Sequence, residues 1–253
     1  MKLWYGQPVP FLKEEESFSA VLEENIKDMV GDGTTVDVNW LNDGYSDPTY
    51  TWTEMYNAVE GVKRYYEAWK TGYDGVVIGC SHDPGLKEAR SIIDIPVAGV
   101  LESALLLASC LGHRFSVIAL HQPAKAALTD TIKRYGLADK LASIRSLDIG
   151  PLESAEKHSE PASMVDLFRK KAVRAIKEDE AEVIIPGCTI VSTLLTSQRV
   201  FAIDNVPIVD PVYAGIKMAE VMVDLKKKRG TGVCRAGIYA AAAGWEKVKQ
   251  IEY

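Results

Sequence analysis

The chain has 253 residues, 47% hydrophobic and 25% charged, which suits one large domain or two lobes with packed cores and excludes a disordered polymer. A formal net charge of -6 without a long basic run argues against a nucleic-acid partner. No apolar run reaches the roughly 20 residues that span a bilayer. Residues 1–30 carry "KEEES" where a leader would need an apolar core, so the cytoplasm is the expected location.

In chain order, residues 3–5 read as a short strand. Phe18, Val21, Leu22, Ile26, Met29 and Val30 recur at helical spacing over residues 13–30, and Gly31-Asp32-Gly33 ends that helix. Val36, Val38 and Trp40 alternate as in a strand, and "NDGYSDP" (42–48) is loop chemistry. Met55, Val59, Val62, Tyr66 and Trp69 mark the next helix. "GVVIG" (75–79) is a short buried strand, "PGLKEARSI" (84–92) a helix with proline in its first turn, and "IPVAGV" (95–100) another strand.

The second half repeats the rhythm. Residues 102–110 form a helix ended by Gly112, "FSVIAL" (115–120) a strand, 123–135 a helix stopped by Gly136, and "ASIRSL" (142–147) a strand. After the polar loop 148–161 come a helix (162–177), the strand "EVIIPG" (182–187), a short helix (189–195), the strand "VPIVDP" (206–211) and a helix (213–228). The basic end of that last helix, "KKKRG", suits the negative end of its dipole. The tail 237–253 shows no clear element type.

Strands that alternate with helices and are apolar throughout imply parallel sheets covered on both faces. "VVIGCS" (76–81) matches "IIPGCT" (184–189), and "IPVAGV" matches "VPIVDP". The expected fold is α/β, with two pseudo-symmetric lobes, each a mostly parallel sheet flanked by helices, and a site in the cleft between them. Residues 1–101 make lobe 1, with 213–253 packing back onto it, and 102–212 make lobe 2.

Four cysteines, Cys80, Cys110, Cys188 and Cys234, are widely spaced and read as reduced thiols. Cys110 and Cys234 read as small core residues. Cys80 and Cys188 each end a buried strand immediately before a helix, where parallel sheets bind ligands. Free N–H groups and the helix dipole there are expected to lower the thiol pKa and to offer donors to an oxyanion. Ser81 and Thr189 add hydroxyls. Two thiols facing each other across a cleft can remove a proton from one face of a carbon and deliver one to the other, inverting it without a cofactor. A packing role for either cysteine is the plain alternative.

His82 either tunes Cys80, contacts substrate or caps the loop. Gln7 and His121 follow "LWY" and "FSVIAL" and are expected at equivalent strand ends, lining the cleft or lying in ordinary loops. Glu102 contacts substrate or caps a helix, and Tyr45 lies over the cleft or on the surface. "CLGH" (110–113) lacks the remaining ligands of a zinc site, so no metal is expected. No glycine-rich phosphate motif is present, so no nucleotide cofactor is expected either.

"DGVVIGCSHDPGLKEARSIIDIPVAGVLESA" and "AEVIIPGCTIVS" resemble the aspartate/glutamate/hydantoin racemase superfamily, most of all its hydantoin racemase branch. The matching residues are Cys80, the run Asp83-Pro84-Gly85-Leu86, Pro96-Val97, and Gly99 with Glu102. The resemblance implies two pseudo-symmetric lobes, cofactor-independent racemisation by two thiols and a homo-oligomer. Three places depart from the branch. Gly6-Gln7-Pro8 replaces an Asn-Pro-Asn-Thr type loop, Ser81-His82 replaces an aromatic-Gly pair, and Thr189-Ile190 replaces Ala-Gly. Gln7, Ser81, His82, Thr189 and Ile190, with His121 at its strand end, are the expected substrate contacts. The preferred substrate is a 5-substituted hydantoin or a related cyclic amide or amino-acid derivative. The alternatives are a decarboxylase or a cis–trans isomerase of small dicarboxylates, a Cys80–His82 hydrolase, and a non-catalytic small-molecule binding protein.

Overall fold

A computed structural model describes residues 1–13, 16–150, 153, 154 and 160–240. The first sheet holds β1 (Lys2–Pro10), β2 (Thr35–Leu41), β3 (Gly75–Ile78) and β4 (Val97–Gly99), in the order β2-β1-β3-β4. Its three pairings are parallel, with Tyr5 set against Val38 on one side and Val77 on the other. Parallel neighbours need crossovers, supplied by α1 (Glu16–Met29), α2 (Thr51–Lys70) and α3 (Leu86–Ile92). After α4 (Val100–Leu111), the second sheet holds β5 (Phe115–Ala119), β6 (Leu141–Ser146) and β7 (Val183–Pro186), again parallel, in the order β6-β5-β7. Its crossovers are α5 (Gln122–Arg134) and α6 (Pro161–Asp179), and α7 (Thr189–Ser197) follows β7. A two-stranded antiparallel ribbon, β8 (Ala202–Ile203) with β9 (Val206–Pro207), precedes α8 (Pro211–Arg229).

The two halves repeat each other over three strands. The central strand, its first neighbour and its second neighbour follow one chain order in both sheets. A lone parallel bridge between Ile184 and Ile208 stands where β3 meets β4 in the first half. The last helix of each half is exchanged. Leu101, Ala104, Leu105 and Ala108 of α4 enter the core of the second sheet beside Val117 and Ile185. Val212, Ile216, Ala219 and Val223 of α8 enter the core of the first sheet beside Leu3, Tyr5 and Val77. Each buried leucine, isoleucine or valine among these contributes roughly 1.5–3 kcal/mol, so the exchange ties the halves together. The two helices cross closely at Gly215, where a Cβ would stand 2.7 Å from Val100 Cγ1.

Local chemistry explains the helix ends. His121 accepts the Ala124 N–H to cap α5, with proline in the first turn. Asp210 accepts the Val212 and Tyr213 N–H groups to cap α8, which Gly230 closes in the left-handed region. Four basic residues fill the last turn of α8.

Several expectations are corrected. The first strand runs to Pro10, well past Tyr5. On α2 the buried positions are Asn57, Gly61, Tyr65 and Ala68, while Met55 and Val59 face outward. An asparagine and a glycine thus hold the inner face, where apolar periodicity misses them. Pro84 lies outside α3, because left-handed Gly85 is the N-cap. In the run 206–211 the strand is limited to Val206–Pro207, followed by the single bridge at Ile208 and the start of α8 at Pro211. Cys110 and Cys234 are exposed, on the outer side of α4 and beyond α8. The tail 237–253 and the loop 148–161 lie partly outside the described residues. Among the described residues no helix is long and apolar enough to cross a membrane.

Candidate active site

β3 and β7 are buried along their whole length and end at equivalent places. Gly79 donates its N–H to Gly6 O at 2.8 Å, and Gly187 donates to Ile118 O at 2.8 Å, so each strand keeps its sheet contact up to the residue before the cysteine. Gly79 must be glycine: a Cβ would lie 2.3 Å from Tyr5 Cε1 and 2.9 Å from its hydroxyl. Cys80 and Cys188 then line one cavity of about 80 Å³.

Their surroundings differ. Cys188 is the N-cap of α7; its sulfur makes no capping hydrogen bond, but the nearby Ile190 and Val191 backbone N–H groups favour its thiolate. Cys80 does not directly precede a helix. It opens a turn in which Asp83 N–H donates to Cys80 O at 2.9 Å, and α3 starts only at Leu86. The nearby His82 backbone N–H favours its thiolate. The expected lowering of the thiol pKa is overturned, because desolvation outweighs these N–H groups. Burial pushes the Cys188 thiol up to about 11. It pushes Cys80 further, with the negative charges of Glu54, Cys188 and Asp83 adding to the effect. Each cysteine keeps partial exposure through the cavity while protein surrounds its sulfur.

Of the six expected contacts, Gln7, Ser81, His82, Thr189 and Ile190 line this cavity. Gln7 Nε2, Ser81 Oγ and His82 Nδ1 are buried without a hydrogen-bond partner. Such groups cost free energy unless a ligand or water satisfies them. His82 Nδ1 lies 3.8 Å from Glu54 Oε2. Thr189 is occupied: its hydroxyl donates to Gly79 O at 3.1 Å. His121 caps α5 and is not among the lining residues; Leu120 and Ala124 beside it are. By strand register Gln7 corresponds to Ala119, two residues before His121.

The remaining wall is apolar, formed chiefly by Val9, Phe18, Trp40, Pro48 and Leu120. Loop 42–48 contributes Ser46 and Pro48, while Tyr45 is exposed and accepts the Trp52 indole N–H at 3.2 Å. Asn57, fully buried, fixes this loop. It accepts the Tyr45 N–H and donates to Tyr45 O and Pro8 O, at 2.7–2.9 Å. No lysine or arginine lines the cavity among the described residues. Nor does any cluster of three His, Cys, Asp or Glu side chains suit a metal there.

Glu102 does not contact the cavity. Its carboxylate pairs with Arg90 through two hydrogen bonds, at 2.9 and 2.5 Å. Residues that sequence reasoning missed are Asn57, Glu54 and Tyr5. The Tyr5 hydroxyl is buried without a partner, and negative charge on either thiol is felt there. Nothing in the spacing of these three distinguishes them from ordinary helix and strand positions.

A two-lobed α/β protein with paired strand-end thiols is the class that fold and site define. The chain belongs to the Asp/Glu/hydantoin racemase family, whose model matches residues 16–219. It is 38% identical over 157 residues to the hydantoin racemase of Pseudomonas sp. (strain NS671), and 34% identical over 152 residues to that of Rhizobium meliloti. These matches cover 62% and 60% of this chain and 61% of each relative, less than two thirds of their length. The allantoin racemase of Pseudomonas fluorescens shares the fold, with a TM-score of 0.83 at 24% identity over 96% of this chain and 97% of that one.

Proposed function

We propose that the protein is a cofactor-independent racemase acting on a carbon next to a carbonyl in a neutral cyclic amide, preferably a 5-substituted hydantoin, with Cys80 and Cys188 as acid and base. The carrying observation is that two thiols at equivalent strand ends line one cavity. The thiolate of one cysteine removes the ring proton. The C–H electron pair forms a double bond to the adjacent carbonyl carbon, and the carbonyl π pair moves onto oxygen. The thiol of the other cysteine returns a proton to the opposite face and is left as the thiolate, so the two roles exchange with each inversion. Gln7 Nε2 and Ser81 Oγ donate to carbonyl oxygens of the ring and hold the charge that develops there. The apolar wall of Phe18, Trp40 and Pro48 takes the ring substituent.

The charge of the site supports this choice over the dicarboxylate reading. No cationic lysine or arginine meets a carboxylate in the cavity among the described residues, and Glu54 and Asp83 add negative charge near Cys80. A desolvated carboxylate without a partner is costly to bind. The substrate is a small molecule, and we place the enzyme in the cytoplasm as a homo-oligomer. Optical rotation of single-enantiomer hydantoins with small apolar substituents tests the reading, with aspartate, glutamate and maleate as controls. Decay of rotation for the hydantoins alone is expected. Turnover of a dicarboxylate with inert hydantoins would replace it with the isomerase or amino-acid reading.

A further inference from the structure

Asp83 is buried and holds a left-handed backbone conformation, with φ of 50°. Its carboxylate accepts three hydrogen bonds. Oδ1 accepts the Leu101 N–H at 3.0 Å, and Oδ2 accepts the Glu102 N–H at 2.8 Å and the Tyr135 hydroxyl at 2.7 Å. The carboxylate rests on Gly99, where a Cβ would stand 2.5 Å from Cγ and 2.6 Å from each oxygen. Leu101 and Glu102 stand in the first turn of α4, where β4 of the first sheet runs into the helix that packs on the second sheet, and Tyr135 caps the end of α5 on the second sheet. The turn that begins at Cys80 is thus fastened at its far end to the junction between the lobes and, through Tyr135, to the opposite lobe.

This fastening matters more for one thiol than the other. Cys188 sits in the N-cap of α7 and is fixed by a helix that starts at the next residue. Cys80 has no helix behind it, and between its carbonyl and α3 lies a turn with positive φ at Asp83 and Gly85. The turn has two sides. Residues 80–82 line the cavity, while residues 83–85 line a separate groove of about 650 Å³ between α2 and α5. Asp83 and Tyr135 meet on the groove side, so neither belongs to the cavity wall.

We propose that Asp83 and Tyr135 are positioning residues, forming a latch between the lobes that holds the Cys80 turn in register with Cys188. Neither touches substrate. They act on the alignment of one thiol, and this inference rests on the racemase reading only where turnover is the readout. A misplacement of about 1 Å can cost about 100-fold in rate.

The test is Tyr135→Phe, which removes one oxygen and keeps the ring, with Gly99→Ala as a second variant that leaves both latch side chains chemically intact and displaces the carboxylate. Iodoacetamide labelling at pH 9, resolved by peptide mass spectrometry, gives the rate at Cys80 relative to Cys188. Steady-state kinetics on a hydantoin gives kcat and KM. In Tyr135→Phe the Cys80 rate is expected to rise roughly fivefold against an unchanged Cys188 rate, and kcat to fall roughly tenfold with KM within about threefold. An unchanged ratio of the two labelling rates in Tyr135→Phe overturns the latch. So does a parallel rise at both cysteines, which would report general loosening. If the wild-type protein racemises nothing, the racemase reading fails alone, and the labelling ratio still decides the latch.

Discussion

Thr189 donates its hydroxyl across the lobes to the carbonyl oxygen of Gly79, at 3.1 Å, in a buried contact. One partner precedes Cys80 and the other follows Cys188. The two thiol-bearing segments are therefore bonded to each other directly.

Thr189→Val keeps the shape and leaves Gly79 O without its donor. An orphaned buried acceptor costs about 1–3 kcal/mol. Urea denaturation is expected to show a loss of that size with an unchanged slope, and racemisation is expected to slow while the circular dichroism spectrum stays the same.

The pH dependence has a definite sign. Burial raises the Cys188 thiol to about 11 and Cys80 above its ordinary range, so both are mainly protonated at neutral pH. Catalysis needs one thiolate, and kcat/KM is expected to rise with pH between 7 and 10, by roughly tenfold per unit where one ionisation governs it. Stability moves the other way. A thiol whose folded pKa exceeds its unfolded value of about 8.5 contributes stability that is complete below that pH and is lost as pH rises towards 11. The urea midpoint is expected to fall between pH 8 and 10.5, and to fall less in Cys188→Ala.

Asn57 fixes the wall of the cavity from outside it. Asn57→Ala removes three hydrogen bonds to Tyr45 and Pro8. A stability loss of about 2–3 kcal/mol is expected. Because loop 42–48 then loses its anchor, KM is expected to rise more than kcat falls, as steady-state kinetics would show.

Much of this architecture is legible in the sequence because the physics is local. Apolar runs ending in Gly-Cys announce buried parallel strands, and the repeat of "GCS" in "GCT" places two thiols at matching ends. The pKa of those thiols is not legible, since it depends on how completely the other lobe desolvates them. The inner face of α2 escapes periodicity because Asn57 and Gly61 hold it for reasons of hydrogen bonding and close approach. Asp83 stands in a visible motif, yet its partner Tyr135 lies in a helix terminus far along the chain, and only the folded contact joins them. Cys110 reads as core from its apolar neighbours, but the face of α4 on which it falls points to solvent.

The central claim is that two thiols work on opposite faces of one carbon. Deuterium incorporation in D₂O, read by chiral chromatography and mass spectrometry on each hydantoin enantiomer, tests it in Cys80→Ala and Cys188→Ala. Each variant is expected to lose inversion by about 100-fold or more with its circular dichroism unchanged. Each is expected to exchange the ring proton of one enantiomer only, Cys80→Ala serving one hand and Cys188→Ala the other. Full racemisation by either variant, or loss of exchange for both enantiomers in both variants, would contradict the account.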